Sequence, residues 1–382
     1  MDSLLIYGAY GDTGRLIARE AVARGGSPTV AGRDRRAVAR LADGLGVDGR
    51  AFDLENGSLA ARLEGFDAVL NCAGPFVETV DPLLEACLES GTDYLDITGE
   101  VAVFERLRQR DAAAREAGIT LLPGVGFDVV PSDCLAAFLH AQLPSADELA
   151  LGIKGSGSLS RGTARTMVEQ LGSGGIVRRN GRLVKVPTAF RSREIDFGSG
   201  PEHAVTIPWG DVVTAAHTTG IGTIEVYAAA PPWADRLLSA VDSIGWLLER
   251  RAVERGLKRL VDARVDGPEN PQSAGGHAVV WGEVTDDAGR RARARLRTPD
   301  PYALTAESAV IAAQRVLENR DRTGGGSVPN GFQTPASAFG PDFALELTDT
   351  DRELLAAPAE SAVANEANSA GGSAQSTLES DD

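Results

Sequence analysis

The first fifteen residues constrain the fold more than any other part of the sequence. The apolar run LLIY at residues 4–7 leads into a glycine-rich turn, and an amphipathic stretch from Arg15 to Arg24 follows. In such a strand, turn and helix, backbone amides at the helix N-terminus bind a phosphate, because glycines let the chain approach the anion closely. The spacing is GxxGxxG rather than GxGxxG, so the prediction depends on the flanking strand and helix as well. The predicted dinucleotide-binding turn consists of Gly8, Ala9, Tyr10, Gly11, Asp12, Thr13 and Gly14.

Short apolar runs alternate with amphipathic helices from residue 3 to residue 125, as in βαβ units whose parallel sheet is covered on both faces. From Leu149 the runs favour a more antiparallel sheet, and Asn180-Gly181 predicts a hairpin turn. We therefore expect an α/β protein: an N-terminal Rossmann fold with a doubly wound parallel sheet, then an inserted α+β substrate domain. A last helix, Leu304 to Glu318, should begin a C-terminal segment that returns to the first domain.

These boundaries divide the chain into four segments. Residues 1–145 are predicted to form the NAD(P)-binding domain, and residues 146–302 the substrate and oligomerisation domain. Residues 303–355 form the C-terminal segment that packs on the Rossmann domain. Residues 356–382 are rich in Ala, Ser, Glu, Asp and Gly and have little to bury, so we expect a disordered acidic tail.

Composition argues against several classes of protein. The net charge of -16 opposes nucleic-acid binding, because phosphate contacts require clustered Lys and Arg. The three cysteines lie far apart, without the spacing of zinc ligands, so we expect no metal site. The excess of acidic residues predicts adaptation to high salt. No signal peptide and no run of about 20 apolar residues is recognisable, so we expect a cytoplasmic protein.

The residues after the second predicted strand bear on the choice of cofactor. Arg33 is placed to pair with the 2′-phosphate of NADP, which favours NADP(H). Asp34 keeps NAD(H) open as the less favoured cofactor, because an acid at this place binds the ribose 2′-hydroxyl. Asp53, after the third strand, is a candidate for the adenine side or for a simple helix cap.

Two further groups lie at the ends of parallel strands, where ligands bind in such sheets. Cys72, Ala73, Gly74 and Pro75 follow the fourth strand, and we expect them to flank the nicotinamide half of the cofactor. Tyr94 and Asp96 are candidate catalytic residues, because period-two alternation directs them to the same side of the fifth strand.

Alternative roles for the acidic residues stay open. Tyr94 also suits the edge of the core, and Asp96 and Glu100 also suit loop or helix-cap positions. After the sixth strand come Asp128, Ser132 and Asp133, of which the last two suit N-terminal caps of the next helix.

Six segments carry a family resemblance, in this order: GAYGDTGRL (8–16), VAGRD (30–34), NCAGPF (71–76), YLDITGE (94–100), PGVGFDVVPSD (123–133) and TPASAFG (334–340). They resemble the saccharopine dehydrogenase-like superfamily, in its branch of trans-acting enoyl reductases and saccharopine dehydrogenase-like oxidoreductases. The resemblance implies NADP(H)-linked reduction of a carbon–carbon double bond in a small, lipid-like substrate. It also implies a homodimer through the sheet of the second domain. True saccharopine enzymes instead act on an amino-acid imine, and that alternative requires arginines near the nicotinamide.

A non-catalytic NADP(H)-binding scaffold at a membrane surface is the other hypothesis. A predicted helix at residues 233–262 carries Trp233 and Trp246 on an apolar face and several basic residues near its end. This pattern occurs in helices that lie at a membrane interface, which would make the protein peripheral, and also in helices whose apolar face packs on a domain.

Overall fold

The computed structural model describes residues 1–55, 57–155, 174–232, 276–320 and 328–358. The predicted helix at 233–262 and the predicted tail from residue 359 onward lie outside the described residues. Among the helices that are described, none is both long and apolar enough to cross a membrane.

The first sheet has seven strands in the order β15-β6-β5-β4-β1-β2-β3, all parallel. Its strands are β1 (Leu4–Tyr7), β2 (Thr29–Gly32), β3 (Gly49–Ala51), β4 (Ala68–Asn71), β5 (Asp93–Asp96), β6 (Thr120–Leu122) and β15 (Gly331–Phe332). Every residue of the central strands β1, β4 and β5 is buried, because helices cover both faces of the sheet. The expected Rossmann fold is confirmed.

Ten α-helices are described, and we number them in chain order. They are α1 (Asp12–Ala23), α2 (Arg35–Leu45), α3 (Leu59–Leu63), α4 (Phe76–Ser90), α5 (Val101–Gln109), α6 (Asp111–Ala117), α7 (Val130–Gln142), α8 (Asp211–Thr219), α9 (Pro301–Arg320) and α10 (Pro335–Phe339). The predicted last helix corresponds to α9, which packs on α1 beside β4 and β5.

The second sheet is mixed, with the order β10-β11-β12-β7-β13-β14-β16 and a β8–β9 hairpin that pairs with β12. Its strands are β7 (Glu148–Gly155), β8 (Gly175–Arg179), β9 (Arg182–Val186), β10 (Ser192–Asp196), β11 (Pro201–Thr206), β12 (Thr223–Ala229), β13 (Ala278–Thr285), β14 (Arg291–Thr298) and β16 (Asp351–Ala356). The hairpin turn lies at Asn180-Gly181, as predicted, and both residues have the positive φ angles that this turn requires.

Helix α7 covers one face of the second sheet. It packs on β13 and β14, and its residues Leu135, Ala136 and Leu139 are fully buried. A side chain at Gly282 of β13 would have its Cβ 2.6 Å from Leu139 Cδ1, so helix and sheet approach closely there. The opposite, outer face of this sheet carries a separate apolar cluster that includes Tyr227 and Trp281.

The C-terminal segment contacts both sheets. We predicted that residues 303–355 as a whole pack on the Rossmann domain, and α9 and β15 do so. Strand β16 departs from this prediction, because it pairs with β14 at an edge of the second sheet. An ion pair of 2.6 Å between Arg295 of β14 and Glu353 of β16 contributes to this pairing.

The packing of α7 gives a first prediction. Leu135→Ala should lower the free energy of unfolding by about 2–5 kcal/mol, because the substitution opens a cavity in the close packing of α7 on β13. The same substitution at Leu355, which is 38% exposed on β16, should change it by less than about 0.5 kcal/mol. Urea denaturation measures both, and equal losses would contradict this packing.

Candidate functional site

The glycine-rich turn brings the start of α1 against the ends of β1 and β4. Gly8 has φ +79°, and a Cβ on it would lie 2.7 Å from the Ala73 backbone nitrogen. A Cβ on Gly14 would lie 2.4 Å from the Gly8 carbonyl oxygen, so only glycine fits at either position. No side chain caps the N-terminus of α1 at Gly11. The turn therefore presents helix amides and a positive dipole end at the edge where a pyrophosphate binds.

Arg33 is the exposed cation beside this turn. The ring of Tyr10 covers Gly32 so closely that a Cβ there would lie 2.5 Å from it. Within the described part of the chain, Arg33 forms no ion pair. Asp34 instead caps α2, since its Oδ1 accepts hydrogen bonds from the amides of Arg36 (2.9 Å) and Ala37 (3.0 Å), which lowers its pKa. Arg33 thus has a free guanidinium for a 2′-phosphate, whereas the Asp34 carboxylate is engaged in the cap.

Asp53 lies on the same side of the sheet. Its Oδ1 accepts a hydrogen bond from the Glu55 amide (2.9 Å), and its side chain is exposed. Burial, together with the charges of Asp53 and Tyr10, raises the pKa of Tyr7 to about 12, so these groups are close together. The ends of β1, β2 and β3 therefore gather the residues predicted for the adenine side.

The turn Cys72, Ala73, Gly74 and Pro75 is held by a residue that sequence reasoning did not single out. Asn71 is fully buried; its Oδ1 accepts from the Ala73 amide (3.0 Å), and its Nδ2 donates to Thr79 (3.0 Å). The Gly74–Pro75 peptide is cis, and both residues are exposed. The turn projects from the carboxyl edge of β4, beside the glycine-rich turn.

Glu100 anchors the helix that follows this turn. Its carboxylate accepts hydrogen bonds from the amides of Phe76 (2.9 Å) and Val77 (3.0 Å), the first two residues of α4. A carboxylate at a helix N-terminus is stabilised by the free amides and by the helix dipole. This capping joins residues 23 and 24 positions apart, so local sequence gives no signal of it.

The predicted catalytic pair, Tyr94 and Asp96, is buried instead of facing the site. Both side chains are 0% exposed, and the Tyr94 hydroxyl donates to Asp96 Oδ2 (2.8 Å). The other oxygen of Asp96 accepts from the amides of Thr98 (3.0 Å) and Gly124 (2.9 Å), which joins the ends of β5 and β6. Burial raises the pKa of Asp96 to about 6. This geometry favours a structural role and corrects the catalytic prediction.

Asp128 is the acidic residue at a partly exposed position between Gly99 and Trp209, which we call the cleft. Its side chain is half-buried, and Oδ2 would lie 2.8 Å from a Cβ on Gly99, next to Glu100. No hydrogen bond among the described residues involves its carboxyl group, whereas its carbonyl oxygen accepts from Trp209 Nε1 (2.6 Å). Burial raises the pKa of Asp128 to about 6. A carboxyl with these properties can hold and release a proton near neutral pH.

Ser132 and Asp133 do not cap α7, contrary to one of our alternatives. Ser132 Oγ lies 3.1 Å from the Val129 carbonyl oxygen and 3.0 Å from Asp211 Oδ2. The Asp133 carboxylate accepts from the Thr218 hydroxyl (2.6 Å) and the Ala336 amide (2.8 Å). Both side chains therefore join α7 to other elements.

Apolar side chains surround Asp128. Phe76, Ile97, Phe127 and Trp209 are partly buried and pack against the main core. A series of contacts connects them. The Phe76 amide donates to Glu100, a Cβ on Gly99 would touch Asp128, and Trp209 donates to the Asp128 carbonyl oxygen. Apolar side chains therefore lie near Asp128, together with the hydroxyl of Thr305, which accepts from the Phe127 amide (3.0 Å).

The described arginines that converge on one pocket lie away from Asp128. A pocket of about 350 Å³ on the outer face of the second sheet is lined by Arg179, Arg191 and Arg193 among others. Glu225 pairs with the first two, and Glu283 pairs with the third. Because side chains alternate along a strand, this face is opposite to the one on which α7 packs.

Comparison with known proteins identifies the first domain. Residues 4–122 match the family model described as the saccharopine dehydrogenase NADP binding domain. A saccharopine dehydrogenase-like oxidoreductase of Bos taurus is 30% identical over 34% of this chain and 35% of its own length. A trans-acting enoyl reductase of Mycobacterium ulcerans (strain Agy99) is 26% identical over 91% of this chain and 96% of its own length. The matches at 30% identity span less than half the length of the relatives concerned.

The fold is shared with a solved structure. Saccharopine dehydrogenase (L-Glu forming) of Saccharomyces cerevisiae superposes with a TM-score of 0.61, covering 92% of this chain and 99% of that chain at 13% identity. This likeness is one of fold. The NADP-binding assignment rests on the match at residues 4–122.

Arg33 should decide the choice of cofactor. Arg33→Ala should weaken NADPH binding about 10- to 100-fold, because a charge-assisted pair with the 2′-phosphate is lost. NADH binding should change by less than about twofold. Calorimetric titration measures both, with Arg35→Ala as the matched control. A parallel loss for both cofactors would show that Arg33 does not read the 2′-phosphate.

Glu100 should stabilise the start of α4. Glu100→Ala should lower the free energy of unfolding by about 2 kcal/mol, because two amide hydrogen bonds to a carboxylate are lost. Glu78→Ala, which removes an exposed acid from the same helical turn, should cost less than about 0.5 kcal/mol. Urea denaturation compares them, and similar losses would argue against this capping.

Proposed function

We propose that the protein is an NADPH-dependent reductase of a carbon–carbon double bond, because residues 4–122 match the saccharopine dehydrogenase NADP binding domain. The proposed substrate is a neutral, lipid-like enoyl compound. The match at residues 4–122 supports NADP binding and oxidoreductase chemistry; the substrate and the direction of the reaction are our own proposal.

The observation that carries the proposal is the position of Asp128. The NADP-binding edge supplies a site for the cofactor, and reduction of a double bond also needs a proton donor. Asp128 is a half-buried carboxyl with a raised pKa and no hydrogen-bond partner of its own among the described residues. It is linked through Gly99 and Glu100 to the turn that begins α4. A proton donor and a cofactor turn therefore meet at one edge of the sheet.

Different residues of the chain bind the cofactor and supply the proton. The uncapped amides of α1 bind the pyrophosphate and Arg33 binds the 2′-phosphate, while residues 71–76 orient the nicotinamide half. When bound, NADPH would supply the hydride for one carbon of the double bond. Asp128 supplies the proton to the other carbon, so that both hydrogens are accounted for and the carboxylate then takes a proton from water.

The polarity of the cleft supports a neutral substrate. The side chains around Asp128 are mainly apolar and aromatic, and the charged groups there, Asp128 and Glu100, are acidic. Such a cleft repels a carboxylate and accommodates an acyl chain. The extended similarity to a protein named trans-acting enoyl reductase supports the same substrate class.

An amino-acid imine substrate is the second candidate. Saccharopine-type substrates carry several carboxylates, which arginine binds in a bidentate fashion. The described arginines that converge on a pocket lie on the outer face of the second sheet, away from α7 and Asp128. This placement favours the enoyl substrate over the imine.

The pH dependence of reduction tests the role of Asp128. A general acid must be protonated to act, so kcat should fall as the pH rises through about 6, the raised pKa of this carboxyl. Asp128→Asn should lower kcat by about 100-fold or more and abolish this pH dependence. The measurement is NADPH oxidation with a series of enoyl thioesters.

Asp96→Asn is the control for this experiment. It should lower stability, because Asp96 accepts three hydrogen bonds in the interior, but the folded fraction should keep the pH dependence. Full activity of Asp128→Asn at every pH would remove Asp128 from the mechanism. Reduction of an imine in preference to every enoyl thioester would overturn the proposed substrate.

A further inference from the structure

The first turns of α7 and α8 are clamped together directly behind Asp128. Trp209 Nε1, just before α8, donates to the Asp128 carbonyl oxygen at 2.6 Å. Ser132 Oγ of α7 lies 3.0 Å from Asp211 Oδ2, at the first residue of α8. Asp211 is 0% exposed. The position of Asp128 in the cleft thus depends on a junction that contains a second, fully buried carboxyl group.

The hydrogen bonds of Ser132 accommodate a protonated neighbour. Its hydroxyl lies within bonding distance of two acceptors, the Val129 carbonyl oxygen (3.1 Å) and Asp211 Oδ2, but it has a single proton. The Val129 carbonyl oxygen also accepts from the Asp133 amide (2.8 Å), so Ser132 alone does not decide the protonation state of Asp211. A proton on Asp211 Oδ1 would have no acceptor among the described residues, whereas one on Oδ2 faces Ser132. If Asp211 carries a proton on Oδ2, it donates to Ser132, and Ser132 donates to Val129.

The surroundings of Asp211 favour the neutral acid. The other oxygen, Oδ1, is buried and has no hydrogen-bond partner among the described residues, and a carboxylate oxygen left in this state costs far more than a carbonyl oxygen. The charges facing it from α7 and the preceding loop are those of Asp133 and Asp128. The nearby guanidinium of Arg178 donates to the carbonyl oxygen of Val212. Burial and the Asp133 charge raise the pKa of Asp211 well above its usual value.

Asp133 shows the contrasting case in the same junction. Its two oxygens accept from the Thr218 hydroxyl and the Ala336 amide, and Thr334 adds a further hydrogen bond. Burial raises the pKa of Asp133, and these hydrogen bonds oppose the rise because they favour the carboxylate. Two neighbouring buried acids are therefore expected to hold different protonation states.

We propose that Asp211 is a positioning residue that carries a proton, donates it to Ser132, and so fixes the first turn of α7 behind Asp128. The significance of this position for catalysis rests on the proposed function of Asp128. The protonation state of Asp211 does not rest on it. A neutral acid here holds the two helices without placing another negative charge beside the proton donor.

The conservative variant Asp211→Asn tests the protonation state. Asn mimics the neutral acid, since its amide donates to Ser132, so the variant should stay folded, with a urea midpoint close to that of the wild type near about pH 4 and above it near neutral pH. In the wild type the proton is retained on folding, so its stability falls as the pH rises above the unfolded pKa. The folding constant of Asp211→Asn relative to the wild type should therefore rise about tenfold per pH unit between about pH 5 and pH 7.

Asp133→Asn is the matched control, with the same substitution in the same junction. It should lower the urea midpoint markedly, because an NH₂ group replaces one carboxylate oxygen and cannot accept the hydrogen bond of Thr218 or Ala336. A ratio of folding constants for Asp211→Asn that stays flat or falls with pH would overturn the proposal. Equal loss of stability in both variants would overturn it as well.

Carboxyl ¹³C NMR of labelled aspartate, with Asp128→Asn to assign the signal, tests the positioning role. The Asp128 titration should be unchanged in Asp211→Asn and displaced in Asp211→Ala, which removes the anchor for Ser132. A pKa of Asp128 that falls in Asp211→Asn would show that Asp211 is ionised. An unchanged titration in Asp211→Ala would show that Asp211 does not position Asp128. Neither readout needs a substrate, so failure of the proposed enoyl reduction would be seen separately.

Discussion

The burial of α7 against the second sheet is the constraint on which the rest of the site depends. Its apolar residues pack on β13 and β14, while the loop before it leaves the end of β6 in the first sheet. Because α7 is held by the second sheet and joined by a short loop to a strand of the first, the residues at its N-terminus have a defined position relative to the cofactor edge. Asp128 is therefore held at the cleft by the core rather than by a mobile loop.

The acidic residues near the site are buried or half-buried away from cations, and their hydrogen-bond partners give them different roles. Asp96 accepts three hydrogen bonds and joins two strands, and Asp133 joins α7 to α8 and α10. Asp128, half-buried and without such partners among the described residues, is the carboxyl left to exchange a proton with a ligand. Chemically identical side chains thus differ in function through the number of donors that the fold directs at them.

The sequence predicted features that depend on neighbouring residues. The strand, glycine-rich turn and α1 follow one another within twenty residues, and the hairpin at Asn180-Gly181 follows from the φ angles of two residues. The prediction for Tyr94 and Asp96 failed for a physical reason. Alternation identifies a shared side of the strand, but both sides of β5 are covered by helices, so the shared side is core.

Contacts between distant residues could not be predicted from one sequence. The amides that Glu100 binds lie 23 and 24 residues away, and the pairing of β16 with β14 joins residues more than fifty positions apart. Asp128 was recognised as one acid among several after the sixth strand. Its distinction from Ser132 and Asp133 arises from α8 and α10, which bind those two residues and leave Asp128 facing the cleft.

The most direct test of the account is the pKa of Asp128 in the complexes with NADPH and with NADP⁺, measured by carboxyl ¹³C NMR. The oxidised nicotinamide ring carries a positive charge and the reduced ring does not. If the ring lies beside Asp128, the pKa should be lower with NADP⁺ than with NADPH by about one unit or more, because a nearby cation favours the carboxylate. Identical pKa values in two saturated complexes would place the nicotinamide away from Asp128 and contradict the proposed active site.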